Sequence, residues 1–145
     1  MSIHLIKLCV GIYSISHLSE RQAARLSAIA AEGGIGELRH RTRQMPRRRD
    51  ELLAGGSLYW VIKGSICVRQ RLVDVRTVRC DDGIRRCDLV YDPRLVLTRP
   101  RPRRAFQGWR YLSAGDAPLD LSLSDADFNR MPEAMRTQLI ELGLI

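Results

Sequence analysis

The sequence predicts an α+β protein: a small mixed or antiparallel β-barrel with two N-terminal helices and a C-terminal helical tail. Three observations carry that expectation. Period-2 runs of β-branched and aromatic residues fill much of the stretch from Leu58 to Tyr111. Turn residues punctuate them at Lys63–Gly64, Asp81–Gly83 and Asp92–Pro93. Helical patterns fall before them, near 19–32 and 47–54. A meander of four or five strands leaves two edges open, and closure with an N-terminal strand removes them.

In chain order, Ile3–Val10 (IHLIKLCV) reads as a strand buried largely on both sides, ended by Gly11. Ser19 followed by Gln22 fits a capping box, with Ala23, Leu26, Ile29 and Ala30 on the apolar stripe of a helix that Gly33–Gly34 stops. Glu37–Gln44 alternates in a β-compatible way. Pro46 then opens a short helix that ends at Gly55–Gly56. Leu58–Ile62 and Ser65–Val78 form the strongest strand pair, joined by Lys63–Gly64, and Arg85–Tyr91 returns antiparallel. Phe106–Tyr111 is the last strand. Ser113–Ser124 reads as loop, and 125–142 as one or two helical turns. One domain of 145 residues accounts for the whole, with a core over 1–112 and an acidic tail over 113–145.

The net charge is +8 and the pI about 10.0. The charge is unevenly placed: residues 1–115 carry 22 Lys and Arg against 10 Asp and Glu, and residues 116–145 carry 2 against 6. Of the 24 cations, 22 are arginine, whose planar fork suits phosphate and stacks on bases. A GC-rich genome produces the same bias. Cys9, Cys67, Cys80 and Cys87 follow no disulfide framework. No secretory leader or membrane-length apolar run is present, so the expected setting is the cytoplasm, with reduced thiols and no membrane.

No nucleophile elbow, P-loop, metalloprotease or dinucleotide motif occurs. His4, His17 and His40 are scattered over different elements, and Cys80 and Cys87 flank a turn without further ligands. The reading therefore assigns no catalytic residue, no metal and no cofactor, and leaves enzymatic activity open. The positive signal is the arginine runs: Arg39, Arg41 and Arg43; Arg47, Arg48 and Arg49; Arg69 and Arg71; and the arm Arg99, Arg101, Arg103 and Arg104, stiffened by Pro100 and Pro102. Trp109 follows that arm as a candidate stacking platform, expected to be partly exposed. Trp60, sharing a face with Leu58 and Ile62, is expected in the core.

HLIKLCVG (residues 4–11), GGSLYWVIKG (55–64) and RPRRAFQGWRYL (101–112) resemble an uncharacterised bacterial family, domain of unknown function 1489. At fold level, Glu37–Leu38–Arg39 is similar to the end of the G-x-K-x-x-E-x-R pattern of the ASCH branch of PUA-like barrels. Gly55–Gly56 stands where that branch has Gly-Asp. The first glycine and the lysine of its pattern are replaced by Glu32 and Gly34. The second resemblance implies a small barrel of a kind that often binds RNA.

The first functional reading is a nucleic-acid-binding module for RNA or a single strand, since no recognition-helix motif appears. A second is an enzyme or small-ligand protein acting on an anionic, nucleotide-like substrate, with Tyr59, Trp60 or Trp109 stacking on it. A third is an interaction module whose basic face meets an acidic partner or its own tail. The oligomeric state stays open.

Overall fold

A computed structural model describes residues 3–34, 36–121, 132–134 and 136–137. The elements are β1 (Ile3–Leu8), α1 (Ile15–Ala31), β2 (Leu38–Thr42), α2 (Arg49–Leu53), β3 (Ser57–Ile62), β4 (Ser65–Arg79), β5 (Arg85–Tyr91), β6 (Val96–Pro102) and β7 (Trp109–Ser113). They build one mixed seven-stranded sheet in the order β2-β5-β4-β3-β1-β7, with β6 also paired to β4. β1 lies parallel to β3, and the other pairs are antiparallel.

The long β4 organises the sheet. Its first part pairs with β3 and with β6, and its second part with β5. β5 and β6 thus run one after the other against β4, interrupted at Asp92–Leu95, where the Asp92 N–H still reaches the Arg71 carbonyl at 2.8 Å. The β3–β4 turn has both central residues at positive φ, Lys63 at 49° and Gly64 at 75°. That backbone matches the twist of the flanking strands.

β3 is buried along its whole length because both of its faces are covered. Leu58, Trp60 and Ile62 join Leu5, Ile15, Leu18 and Leu52 in the main core. Tyr59 and Val61 join Ile6, Ile66 and Leu112 in a second cluster against which Phe106 and Ala117 pack. Trp60 is therefore a core residue, as its strand face implies.

A buried amide network ties the layers together. Gln70 Nε2 donates to Gln22 Oε1 and Gln22 Nε2 donates to Gln70 Oε1, both at 2.8 Å. Trp60 Nε1 donates to Gln70 Oε1 at 2.9 Å, and Gln70 Nε2 also donates to the Asp92 carbonyl at 3.0 Å. Gln70 thereby fills all four of its hydrogen-bond positions while wholly buried.

Four expectations need correction. The helix expected from Ser19 begins at Ile15, capped by Ser14, whose Oγ accepts from the His17 N–H at 3.0 Å. Gln22 is the buried partner of Gln70 instead of a capping residue. The second helix spans only Arg49–Leu53. The last strand starts at Trp109 instead of Phe106, because Gly108 at φ 71° breaks the extended backbone.

The sheet does not close into a barrel. β2 and β7, five residues each, stand at its two ends without a ladder between them. After Thr42 the chain bends through 43–48 into α2, and that irregular stretch forms no ladder with β7. Two side chains span the seam instead. Trp109 Nε1 donates to the Gln44 carbonyl at 3.0 Å, and the Arg48 N–H donates to the Tyr111 hydroxyl at 3.1 Å.

Of the loop expected over 113–124, Ser113 ends β7, the chain then turns at Asp116–Ala117 and lies along β6 as far as Leu121, and residues 122–124 lie outside the described residues. The Arg99 N–H meets the Leu119 carbonyl at 2.9 Å, and the Leu121 N–H meets the Leu97 carbonyl at 2.8 Å. Most of the helix expected over 125–142 lies outside the described residues.

Candidate nucleic-acid interface

The open seam is where the basic runs meet an aromatic side chain. Two adjoining grooves of about 410 Å³ and about 530 Å³ share Gln44 and Trp109. Lys7 of β1, Arg41 and Arg43 of the β2 run, and Arg110 of β7 line the first. Arg47, Arg48 and Tyr111 line the second. No carboxylate is among the described residues that line either groove.

The local fold explains the placement. Along β2, Leu38 and Thr42 are buried and His40 half-buried, while Arg39 and Arg41 alternate outward and Arg43 follows them. Trp109 is half-buried: it packs against the main core and sits edge-to-face on Tyr111 at 4.9 Å. Its indole N–H is held by Gln44, so its orientation is set before any ligand arrives. Burial pulls the Lys7 ammonium below its ordinary pKa, the nearby Cys9 opposing in part.

The seam cations differ in how far they are already neutralised. Arg41 Nε meets Asp88 Oδ1 at 2.9 Å and its Nη2 meets Oδ2 at 3.2 Å, while the Asp88 side chain is nearly buried. Arg48 is paired with Glu51 and lies 5.8 Å from the Tyr111 ring centroid. Arg43, Arg47 and Arg110 make no ion pair among the described residues.

The remaining predicted residues are distributed more widely. Arg39 faces Glu37 at 3.5 Å. Arg49 is engaged by Asp74 at 2.7 Å and by the Val75 carbonyl at 2.8 Å. Arg69 lines neither groove and is fastened to Asp120 through two bonds of 2.7 and 2.8 Å and to Ser57 Oγ at 2.9 Å. Arg71 is exposed beside Ser57 in the ladder. On the arm, Arg101 is tied to the Asp116 carbonyl. Arg103 and Arg110 each lie 5.4 Å from the Phe106 centroid, which brings the end of the arm toward the seam. Arg104 is exposed in the stretch between β6 and β7. The structure therefore gathers Arg41, Arg43, Arg47, Arg48 and Trp109, and separates Arg69 from them.

Sequence reading missed Lys7 and Arg110 at the seam. It also missed a second concavity, a cleft of about 190 Å³ between α1 and the sheet. Trp60, Tyr91, His40 and Gln22 line it together with Arg21 and Arg25. The His40 pKa is pushed down to about 4, chiefly by burial and secondarily by Lys7 and Arg25, so the ring is neutral near pH 7. The period-3.6 placement of Leu18, Arg21, Gln22 and Arg25 was the available signal for that face. The Ser19 capping reading concealed it.

The class that emerges is an α+β domain whose incompletely closed sheet carries a cationic, aromatic-anchored seam. The chain belongs to the family described as protein of unknown function (DUF1489), whose model matches residues 5–145. No curated protein and no solved structure matches it.

Proposed function

We propose that the protein binds nucleic acid, RNA or another single strand, in the seam between β2 and β7. The observation that carries this reading is the lining of the seam. Six cations line the grooves beside a half-buried tryptophan with no carboxylate among the described lining residues, and four of them (Lys7, Arg43, Arg47 and Arg110) make no ion pair among the described residues. Phosphates account for the cations, and an unstacked base accounts for an oriented aromatic ring. A duplex offers no free base face to Trp109, and the five-residue α2 is too short to act as a recognition helix. The PUA-like resemblance at Glu37–Arg39 agrees with an RNA ligand by analogy.

The test is fluorescence anisotropy of a labelled twelve-nucleotide oligouridine at low salt, with wild type, Trp109→Phe and Trp109→Ala. Alanine should weaken binding by about tenfold or more, and phenylalanine by less, since stacking contributes about 1–3 kcal/mol per base. A circular dichroism melt establishes that each variant is folded. Equal affinity of folded Trp109→Ala and wild type would remove the stacking role, and absence of wild-type binding at low salt would remove the function.

A further inference from the structure

We propose that the cleft between α1 and the sheet is a second binding site, distinct from the seam, for one planar heteroaromatic ring carrying an anionic group. A mononucleotide offers that chemistry, whether free or as one residue of a strand.

The size of the cleft selects a single ring system. At about 190 Å³ it is smaller than the ~300–1,000 Å³ of drug-sized sites. Its aromatic walls stand at steep angles to one another: His40 and Trp60 centroids are 5.6 Å apart at 85°, and Trp60 and Tyr91 are 5.8 Å apart at 78°. Trp60 and Gln22 are held in place by Gln70, so the walls are fixed in advance.

The polar groups select the rest of the ligand. The ring nitrogens of His40 have no hydrogen-bond partner among the described residues, and a purely aliphatic occupant would leave them unsatisfied. A heteroaromatic ring supplies donors and acceptors for a neutral imidazole, which offers one of each. Arg21 and Arg25 stand four residues apart on α1, where like charges repel. Arg25 reaches only the Arg39 carbonyl, at 3.3 Å, and Arg21 makes no ion pair among the described residues. An anion between them converts that repulsion into two charge-assisted contacts. The same arginines disfavour the cationic ligands that aromatic walls otherwise attract.

The test isolates Trp60, since the chain has two tryptophans. In a Trp109→Phe background, mononucleotides and their phosphate-free nucleosides are titrated while Trp60 emission and amide NMR shifts of α1 and β2 are followed. Mononucleotides should perturb Trp60 and the amides around Arg21 and His40, and bind more tightly than nucleosides. Arg21→Gln with Arg25→Gln should weaken mononucleotide binding about tenfold and remove the preference over nucleosides. These residues are exposed, so the variant keeps its fold, and because it leaves the seam untouched the two sites fail separately. If only an oligonucleotide perturbs Trp60, and does so in an arginine-dependent way, the strand supplies the ring. The proposal is overturned if neither probe perturbs the cleft at millimolar concentration, or if binding is indifferent to the double substitution.

Discussion

Replacing Gln70 by Met tests how the interior is held together. The side chain is wholly buried, and its amide accepts from Trp60 and Gln22 while donating to Gln22 and the Asp92 carbonyl. Methionine fills much of the same volume, so little of the cost comes from a void. It leaves the Trp60 indole N–H, at 3% exposure, without an acceptor. A buried group stranded in this way costs about 1–3 kcal/mol. Gln22 borders the cleft and can turn its amide toward water, so its share is smaller, as is that of the half-buried Asp92. The sum is about 2–5 kcal/mol, a large part of the ~5–15 kcal/mol of a typical domain. Guanidinium denaturation followed by tryptophan emission should show a lower midpoint at unchanged slope. Adding Gln22→Met should cost less than its own single substitution, because the reciprocal pair is then removed as a unit. A Gln70→Met protein within about 0.5 kcal/mol of wild type would refute the network as a source of stability.

Three further outcomes follow from particular contacts. A Cβ on Gly56 would sit 2.4 Å from both the Ile3 and the Leu52 carbonyl oxygens. Gly56→Ala should therefore destabilise by about 3 kcal/mol or more, and a midpoint shift under 1 kcal/mol contradicts the close approach. Burial raises the thiol pKa of Cys9 and Cys87 to about 11 and of Cys67 to about 12. At pH 8 Ellman's reagent should accordingly titrate Cys80 promptly, and the other three thiols only after unfolding. His40, with its folded pKa lowered to about 4 by burial, resists the proton that an unfolded imidazole accepts near 6.5. Between those values the unfolded state binds more protons, so stability falls as pH falls, by at most about 1.4 kcal/mol per unit and less where solvent reaches the ring. His40→Gln should flatten that segment of the profile. An NMR titration placing the wild-type ring near 6.5 would contradict the burial effect.

The parts of the fold that sequence made legible are those specified locally. Lys63–Gly64 announces the β3–β4 turn, and Asp82–Gly83 the next one, because positive φ leaves few residue choices. Trp60 is placed in the core by simple alternation. The parts that were hidden depend on partners distant in the chain. Gln22 meets Gln70 across 48 residues, and Arg41 meets Asp88 across 47, so neither local pattern distinguishes a buried amide or a neutralised arginine from a solvated one. The parallel pairing of β1 with β3 encloses the intervening α1, β2 and α2, and no local signal sets it. Pro100 and Pro102 mark the arm as stiff, but its hydrogen bonds run to β4 and to residues 119–121, which no local pattern announces and which bind part of it into the scaffold. The arginine runs and Trp109 stand out in the sequence as residue types, but no local pattern shows which of them meet; Arg41, Arg43, Arg47, Arg48 and Trp109 line the seam. Lys7 and Arg110 enter through tertiary position alone.

The central claim, that the seam holds phosphates, is tested most directly by the salt dependence of single-strand affinity. Each phosphate neutralised contributes about 0.7 to the slope of log affinity against log salt. Replacing Arg43, Arg47 and Arg110 together by Gln should flatten the wild-type slope by about two units. The melting temperature should stay nearly unchanged, because these exposed side chains make no ion pair among the described residues. The same change at Arg101, Arg103 and Arg104 should flatten it less, since Arg101 is already held by the Asp116 carbonyl. A wild-type protein without salt-dependent binding, or a seam variant that keeps the full slope, would contradict the account.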